Sequence, residues 1–181
     1  MGPKGLDRSP EISAHTPDWR RESFALGRWD PSKRLLRTIR YYQSLREKRG
    51  GLSFLLRTFT VMRHRFWSAV TGTDIPLNCR IGGGLLIPHP NGIVIHPDAE
   101  IGPNCLIFQQ VTIGYGGPRE GLPKIGGQVD IGAGAKILGG LTIGNHARIG
   151  ANAVVLHDVP EHGVAVGIPA RVRQTAHNRN G

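Results

Sequence analysis

The apolar positions of this chain change their period once, near residue 72. Before that point they recur at helical spacing, and beyond it they recur at every sixth residue. Ten of the eleven positions in the six-residue register are β-branched aliphatics: Ile95, Ile101, Ile107, Ile113, Ile125, Ile131, Ile137, Ile143, Ile149 and Val155. The remaining position is Arg119. An upstream set is two residues out of phase, which predicts a two-residue insertion near Pro90: Ile75, Ile81, Ile87 and Ile93.

The six-residue period predicts a coil of short strands and turns. Seven of the aliphatics are followed directly by glycine, which permits a sharp turn. A small or apolar residue usually stands four positions after the aliphatic. Cys79 and Cys105 occupy that later position, so we expect both to be buried thiols. Three six-residue units close one triangular coil, and stacked coils place the aliphatics in a continuous core. The sequence therefore predicts a mainly β protein with a parallel β-helix over residues 73–173.

The helical period predicts two helices ahead of the β-helix, one from Pro31 to the Gly50-Gly51 stop and one over 52–72. The second helix carries an apolar row: Leu55, Phe59, Met62, Phe66 and Val70. Such a row is typical of packing against a neighbouring helix or subunit, with an interfacial membrane helix as the alternative. We predict a disordered lead over 1–17, a basic α-helical N-terminal region over 18–72, and a flexible tail over 174–181.

The net charge of +10 is concentrated at the N-terminus. Residues 1–72 contain 15 Lys or Arg and 6 Asp or Glu, whereas residues 73–181 contain 8 and 7. This basic arm is either a solvated helical face or a contact with an anionic membrane or glycan; nucleic acid is not expected. The first twenty residues have no apolar leader and no stretch reaches the length of a membrane span. The sequence therefore predicts a cytoplasmic protein, with a peripheral position at the inner face of the membrane as an option.

The repeats and the segment around His89 resemble the serine acetyltransferase group of hexapeptide-repeat acyltransferases. The stretches HPNGIVIHPDAEIGPNCLIFQQVTIG and PKIGGQVDIGAGAKILGGLTIGNHARIGANAVVLHDVPEHGVAVGIPARV carry this resemblance, which covers about 55% of the chain. It implies a left-handed parallel β-helix, a homotrimer, and acetyl-CoA as cosubstrate in the groove between adjacent β-helices. It implies no metal.

The resemblance also implies roles for individual residues. His89, in PHPNG, matches the family's general base, and Asp74, fifteen residues earlier, matches its carboxylate partner. A neutral imidazole suits the removal of a hydroxyl proton during attack on a thioester. Gly114 is our candidate for a backbone N–H donor to the developing oxyanion. The remaining candidates are assigned to acetyl-CoA, two along the pantetheine arm and two near the phosphates: Ala133, Ala151, Arg148 and Arg171.

The chain departs from serine acetyltransferases where those enzymes hold serine. Pro88 replaces the Asp before the first His, and Gly121-Leu122 replaces the Arg-His of R-H-P-K-I in a shorter loop at 115–123. The relatives that acetylate colanic acid share a loop of this length. We therefore expect a sugar of an exopolysaccharide or its precursor as acceptor, with serine as the alternative. The C-terminal RQTAHNRNG lacks the family's long tail, so cysteine synthase is not an expected partner.

Two further hypotheses keep the β-helix and change the chemistry. A metal-dependent carbonic anhydrase would need three histidines gathered across a subunit boundary. His157 and His162 have a suitable His-x4-His spacing, but they lie in a closing turn, where the resemblance implies no metal. A noncatalytic scaffold would keep the repeat and lose the active groups. The sequence leaves open the identity of the acceptor and the pairing of trimers into hexamers.

Overall fold

The computed structural model of the protein describes residues 12–23, 27, 29–46, 48 and 50–174. In this part of the chain a short 3-10 helix, Trp19–Glu22, precedes α1, Pro31–Leu45, and α2, Gly51–Thr71. Short strands follow: β1 Arg80–Ile81, β2 Val94–Ile95, β3 Glu100–Ile101, β4 Leu106–Ile107, β5 Thr112–Gly114, β6 Lys124–Ile125, β7 Asp130–Ile131, β8 Lys136–Leu138, β9 Thr142–Ile143, β10 Arg148–Ile149, β11 Val154–Val155, β12 Gly163–Gly167 and β13 Ala170–Gln174.

The strands build a parallel β-helix with three faces. The first sheet contains β1, β3, β6 and β9; the second contains β4, β7, β10, β12 and β13; the third contains β2, β5, β8 and β11. All pairs are parallel except β12 with β13. Within a sheet each aliphatic lies on its counterpart in the next coil, as Ile95 does on Ile113. The predicted stacking of the aliphatic register is therefore confirmed.

The two irregularities of the repeat are also where the sequence predicts them. Ile81 pairs with Ile101, a step two residues longer than the step from Ile95 to Ile113, because the turn at 88–92 contains the insertion. The step from Ile113 to Ile137 is a full repeat longer, since residues 115–121 form an exposed loop. The predicted burial of Cys79 and Cys105 is confirmed, with exposed fractions of 1% and 0%.

The helix α1 closes one end of the β-helix. Asp30 caps its N-terminus by accepting a hydrogen bond from the Lys33 amide, and Pro31 fits the first helical turn. Three apolar side chains of α1 are fully or almost fully buried in the common core: Leu35, Leu36 and Ile39. The Arg40 guanidinium donates to the carbonyls of Ile81 (2.6 Å) and Gly82 (2.7 Å), which fixes the helix on the first coil.

The helix α2 packs beside α1 and ends at Gly72, which has the left-handed conformation (φ 64°) that favours glycine. His64 on α2 is half-buried, and its Nε2 donates to the Ile75 carbonyl at 2.9 Å. Burial lowers the pKa of His64. In the described part of the chain, no helix has the length and apolar character needed to cross a membrane.

An N-terminal strap, residues 12–22, crosses one edge of the β-helix. The Asn104 side chain, 1% exposed, donates to the carbonyls of Ser13 (2.7 Å) and Thr16 (2.8 Å) and accepts from the Asp18 amide (2.8 Å). Residues 12–17 are therefore part of the folded unit, which corrects the C-terminal end of the predicted disordered lead. Residues 1–11 of that lead, and all of the predicted tail except Gln174, lie outside the described residues.

Candidate active site

His89 lies in the turn at 88–92, where the second sheet gives way to the third, and its side chain is exposed. The turn borders a cavity of about 650 Å³, whose walls come from this turn, from the start of α1 and from the end of α2. The imidazole is thus accessible at a concave surface, which is what a general base acting on a dissolved acceptor requires.

The structure brings three residues into this cavity that the sequence analysis does not assign to a site: Trp29, Asp30 and Lys33. The Lys33 Nζ lies 4.0 Å from the Asp30 Oδ2 and donates to the Ser23 carbonyl at 2.6 Å. The Trp29 ring is 70% exposed and packs at 5.7 Å from the Trp67 ring. The sequence Asp30-Pro31 predicts a helix start. It does not predict that Asp30 lines the same cavity as His89, because this depends on how α1 docks.

Backbone contacts place the segment that contains Asp74 next to the turn that contains His89. The Asp74 backbone bridges to Val94, and the Gly92 amide of the His89 turn donates to the Gly72 carbonyl at 2.7 Å. Both side chains are exposed, and among the described contacts no hydrogen bond or ion pair joins them. The imidazole–carboxylate pair therefore stays a prediction.

The predicted acetyl-CoA residues Ala133 and Ala151 share one edge of the β-helix with His89. This His89 edge consists of the turns at 88–92, 108–110, 132–134 and 150–152. Backbone hydrogen bonds link each turn to the next. At the first step the Gln110 amide donates to the Asn91 carbonyl (2.9 Å), and at the last step the Asn152 amide donates to the Ala133 carbonyl (2.8 Å). Since adjacent strands are about 4.8 Å apart, Ala133 lies about 10 Å along the edge from the His89 turn.

The predicted phosphate-binding arginines lie at the far end of the same edge. Arg148 is exposed on β10, immediately before the turn that contains Ala151, and Arg171 is exposed on β13. β13 is the last strand of the second sheet, two strands beyond β10. Small side chains leave room for an extended chain, and guanidinium groups can pair with phosphates. The assignment of these residues to acetyl-CoA stays a prediction.

Gly114 lies on a different edge from His89. It ends β5, pairs with Leu138 and accepts a hydrogen bond from the Gly139 amide at 3.0 Å. Its neighbours there are His96 and the exposed Tyr115, whose rings meet edge to face at 4.7 Å. Within one chain the structure does not bring Gly114 to His89. In the described residues no three His, Cys, Asp or Glu side chains converge as metal ligands.

Comparison with known proteins places the repeats in a family. The model of the bacterial transferase hexapeptide (six repeats) matches residues 123–157. The serine acetyltransferase of Synechococcus elongatus is 47% identical over 105 residues, which are 57% of this chain and 43% of that protein. The chain thus spans about half the length of the curated relatives that it matches.

Solved structures agree with this result. The soybean serine acetyltransferase complexed with serine is 38% identical, with a TM-score of 0.66 over 79% of this chain and 57% of that one. A serine acetyltransferase in complex with CoA is 32% identical, with a TM-score of 0.65 over 80% of this chain and 57% of that one. The predicted left-handed parallel β-helix with a short helical region is confirmed by these neighbours. Over its β-helix the chain is therefore similar to the hexapeptide-repeat acyltransferases, and residues 123–157 match their repeat model.

Proposed function

We propose that this protein is an acetyl-CoA-dependent O-acetyltransferase in which His89 is the general base and L-serine is the acceptor. The observation that carries the proposal is a cavity whose lining includes the exposed His89 together with Asp30 and Lys33. The serine acetyltransferases among its relatives support the same reaction.

The chemistry needs only a base, since the thioester of acetyl-CoA supplies an acetyl group that is already activated. The His89 imidazole takes the proton of the acceptor hydroxyl as its oxygen attacks the thioester carbonyl carbon. The carbon–sulfur bond then breaks, and the imidazolium returns the proton to the departing thiolate. Asp74 would stabilise the imidazolium and fix the tautomer of the ring.

The charges at the start of α1 suit an amino acid. Pro88 and Leu122 provide no ionic contact for the ends of serine, but Asp30 could accept from its ammonium and Lys33 could donate to its carboxylate. Charged partners matter because an unpaired ion in a desolvated site costs several kcal/mol. These two side chains therefore supply an alternative to the family's missing clamp, and they favour serine over the sugar expected from the sequence.

A sugar hydroxyl is the second candidate acceptor, and Trp29 favours it. This ring is 70% exposed at the cavity that contains His89, and an exposed aromatic face can stack on the apolar face of a sugar. In this case the acceptor would need no ionic ends, which agrees with the presence of Pro88 and Leu122.

We also propose a homotrimer, because hexapeptide-repeat acetyltransferases are typically trimers. In a trimer the His89 edge of one subunit can face the edge of a neighbour that contains Gly114 and the exposed loop 115–121. The oxyanion donor would then come from the second subunit, which would explain why one chain separates Gly114 from His89.

The experiment is a CoA-release assay with acetyl-CoA and either L-serine or nucleotide sugars. We expect turnover of serine, and we expect His89→Gln to lower kcat by about 10²–10⁴-fold. The matched control is His146→Gln, on another edge, where Gln128 already occupies the equivalent left-handed position (φ 51°, against 57° for His146). Asp30→Asn should raise the KM for serine about tenfold or more. Turnover of sugars alone would instead establish the second candidate, and full activity of His89→Gln would refute both.

A further inference from the structure

One side of α2 presents a continuous row of exposed apolar side chains, which we call the apolar stripe: Leu52, Leu55, Phe59, Met62, Phe66 and Val70. Their exposed fractions range from 42% for Val70 to 72% for Leu52. Soluble proteins rarely leave an apolar patch of several hundred Å² in contact with water unless it binds something. The stripe is therefore an interaction surface.

The orientation of the stripe is fixed by the buried residues of the helix. Thr60, Trp67 and Thr71 are the buried residues of α2, and they lie on the side that packs against α1 and the first coil. The bond from His64 to the Ile75 carbonyl secures the same side. The stripe consequently cannot turn inward to join the core.

The helical region that carries the stripe is strongly basic. Residues 31–72 contain ten Lys or Arg and a single acid, Glu47, and α2 itself contains Arg57, Arg63 and Arg65 with no acid. The Arg63 guanidinium lies over the Phe59 ring at 5.9 Å, directly beside the stripe. An apolar row on a basic helix, with a guanidinium group beside it, is typical of a surface that lies in the headgroup region of a bilayer.

We propose that the apolar stripe of α2 docks on the surface of an anionic lipid membrane. The apolar side chains would enter the boundary between headgroups and acyl chains, and the arginines would pair with lipid phosphates. A second copy fits less well, since stripe-to-stripe pairing would bring together two basic helices that have no carboxylate between them. This inference does not depend on which acceptor the enzyme uses.

Docking would also place the candidate active site at the membrane. Val70, the last residue of the stripe, lines the cavity that contains His89. A helix held in the plane of the headgroups would therefore keep the mouth of this cavity beside the lipid surface.

The test is co-sedimentation of the full chain with vesicles of phosphatidylcholine alone and of phosphatidylcholine with phosphatidylglycerol. We expect binding to the anionic vesicles and not to the neutral ones, and we expect high salt to weaken it. Leu55→Gln/Met62→Gln should weaken this binding at least about tenfold, since it removes two exposed apolar side chains and keeps a residue with good helix propensity. The matched control is Ile168→Gln, because Ile168 is 73% exposed but lies outside α2.

Circular dichroism of each variant checks that the helices remain folded, and sedimentation velocity gives the mass of the assembly. Absence of binding to anionic vesicles, equal binding to both vesicle types, or undiminished binding by Leu55→Gln/Met62→Gln would overturn the proposal. A smaller assembly in that variant, without loss of vesicle binding, would show that a second copy covers the stripe.

Discussion

At the scale of single residues, the core determines the chemistry of the two thiols. Burial raises the pKa of Cys79 to about 12 and the pKa of Cys105 to about 11. The folded protein therefore holds these protons more tightly than the unfolded chain does. The resulting stability is complete below the ordinary thiol pKa of 9.0 and is lost as the pH rises through about 11 to 12.

We accordingly expect the free energy of unfolding to fall more steeply with pH in the wild type than in Cys79→Ala/Cys105→Ala. The difference between the two proteins should change by at least about 2 kcal/mol between pH 9 and pH 11, as measured by urea unfolding at each pH. Comparing the two slopes cancels the titration of Lys and Tyr, which both proteins share. Parallel slopes would mean that the buried thiols titrate as they do in water.

At the scale of elements, the strap depends on one side chain. Asn104 satisfies three backbone groups of the strap from a position that is 1% exposed, and buried backbone groups that lose their partners are costly. Asn104→Ala should therefore destabilise the protein by about 2 kcal/mol or more and expose Arg20 and Arg21 to trypsin.

The control for this prediction is Asn152→Ala. Asn152 has the same left-handed backbone (φ 55°, against 61° for Asn104) but is exposed on the His89 edge, away from the strap. Both substitutions strain the backbone alike, so the excess loss in Asn104→Ala isolates the strap contacts. Equal losses in urea unfolding, with no new tryptic cleavage, would argue that the strap holds without Asn104.

The coils could be predicted from the sequence, whereas the strap could not. Each coil is specified locally, because its aliphatics and its turn residues recur within eighteen positions, and the sequence therefore predicts the sheets and both insertions. The strap is held by bonds between residues about ninety positions apart, such as Ser13 and Asn104, and no period in the sequence encodes them. For the same reason the sequence does not predict that Asp30 and Lys33 lie at the cavity. The pattern of α1 predicts an apolar face but not the coil on which this face docks.

At the scale of the whole molecule, one ion pair joins the strap, α1 and the first coil. Arg40 donates to both carboxylate oxygens of Glu22, at 2.8 and 3.1 Å, and Glu22 also accepts from the Leu85 amide at 3.1 Å. The two side chains are only 18% and 9% exposed. A pair this well buried is expensive to break from one side, because the remaining charge has no partner.

We expect Arg40→Met to lower the free energy of unfolding by about 3–5 kcal/mol, since it leaves Glu22 unpaired and removes donors from the carbonyls of Ile81 and Gly82. The matched control is Arg80→Met, which breaks an ion pair with Glu100 whose side chains are 63% and 44% exposed and should cost at most about 1 kcal/mol. Adding Glu22→Gln to Arg40→Met should recover part of the loss. If the two arginines cost the same in urea unfolding, the helical region is not held to the β-helix by this pair, and hydrogen exchange of α1 should then be unchanged in Arg40→Met.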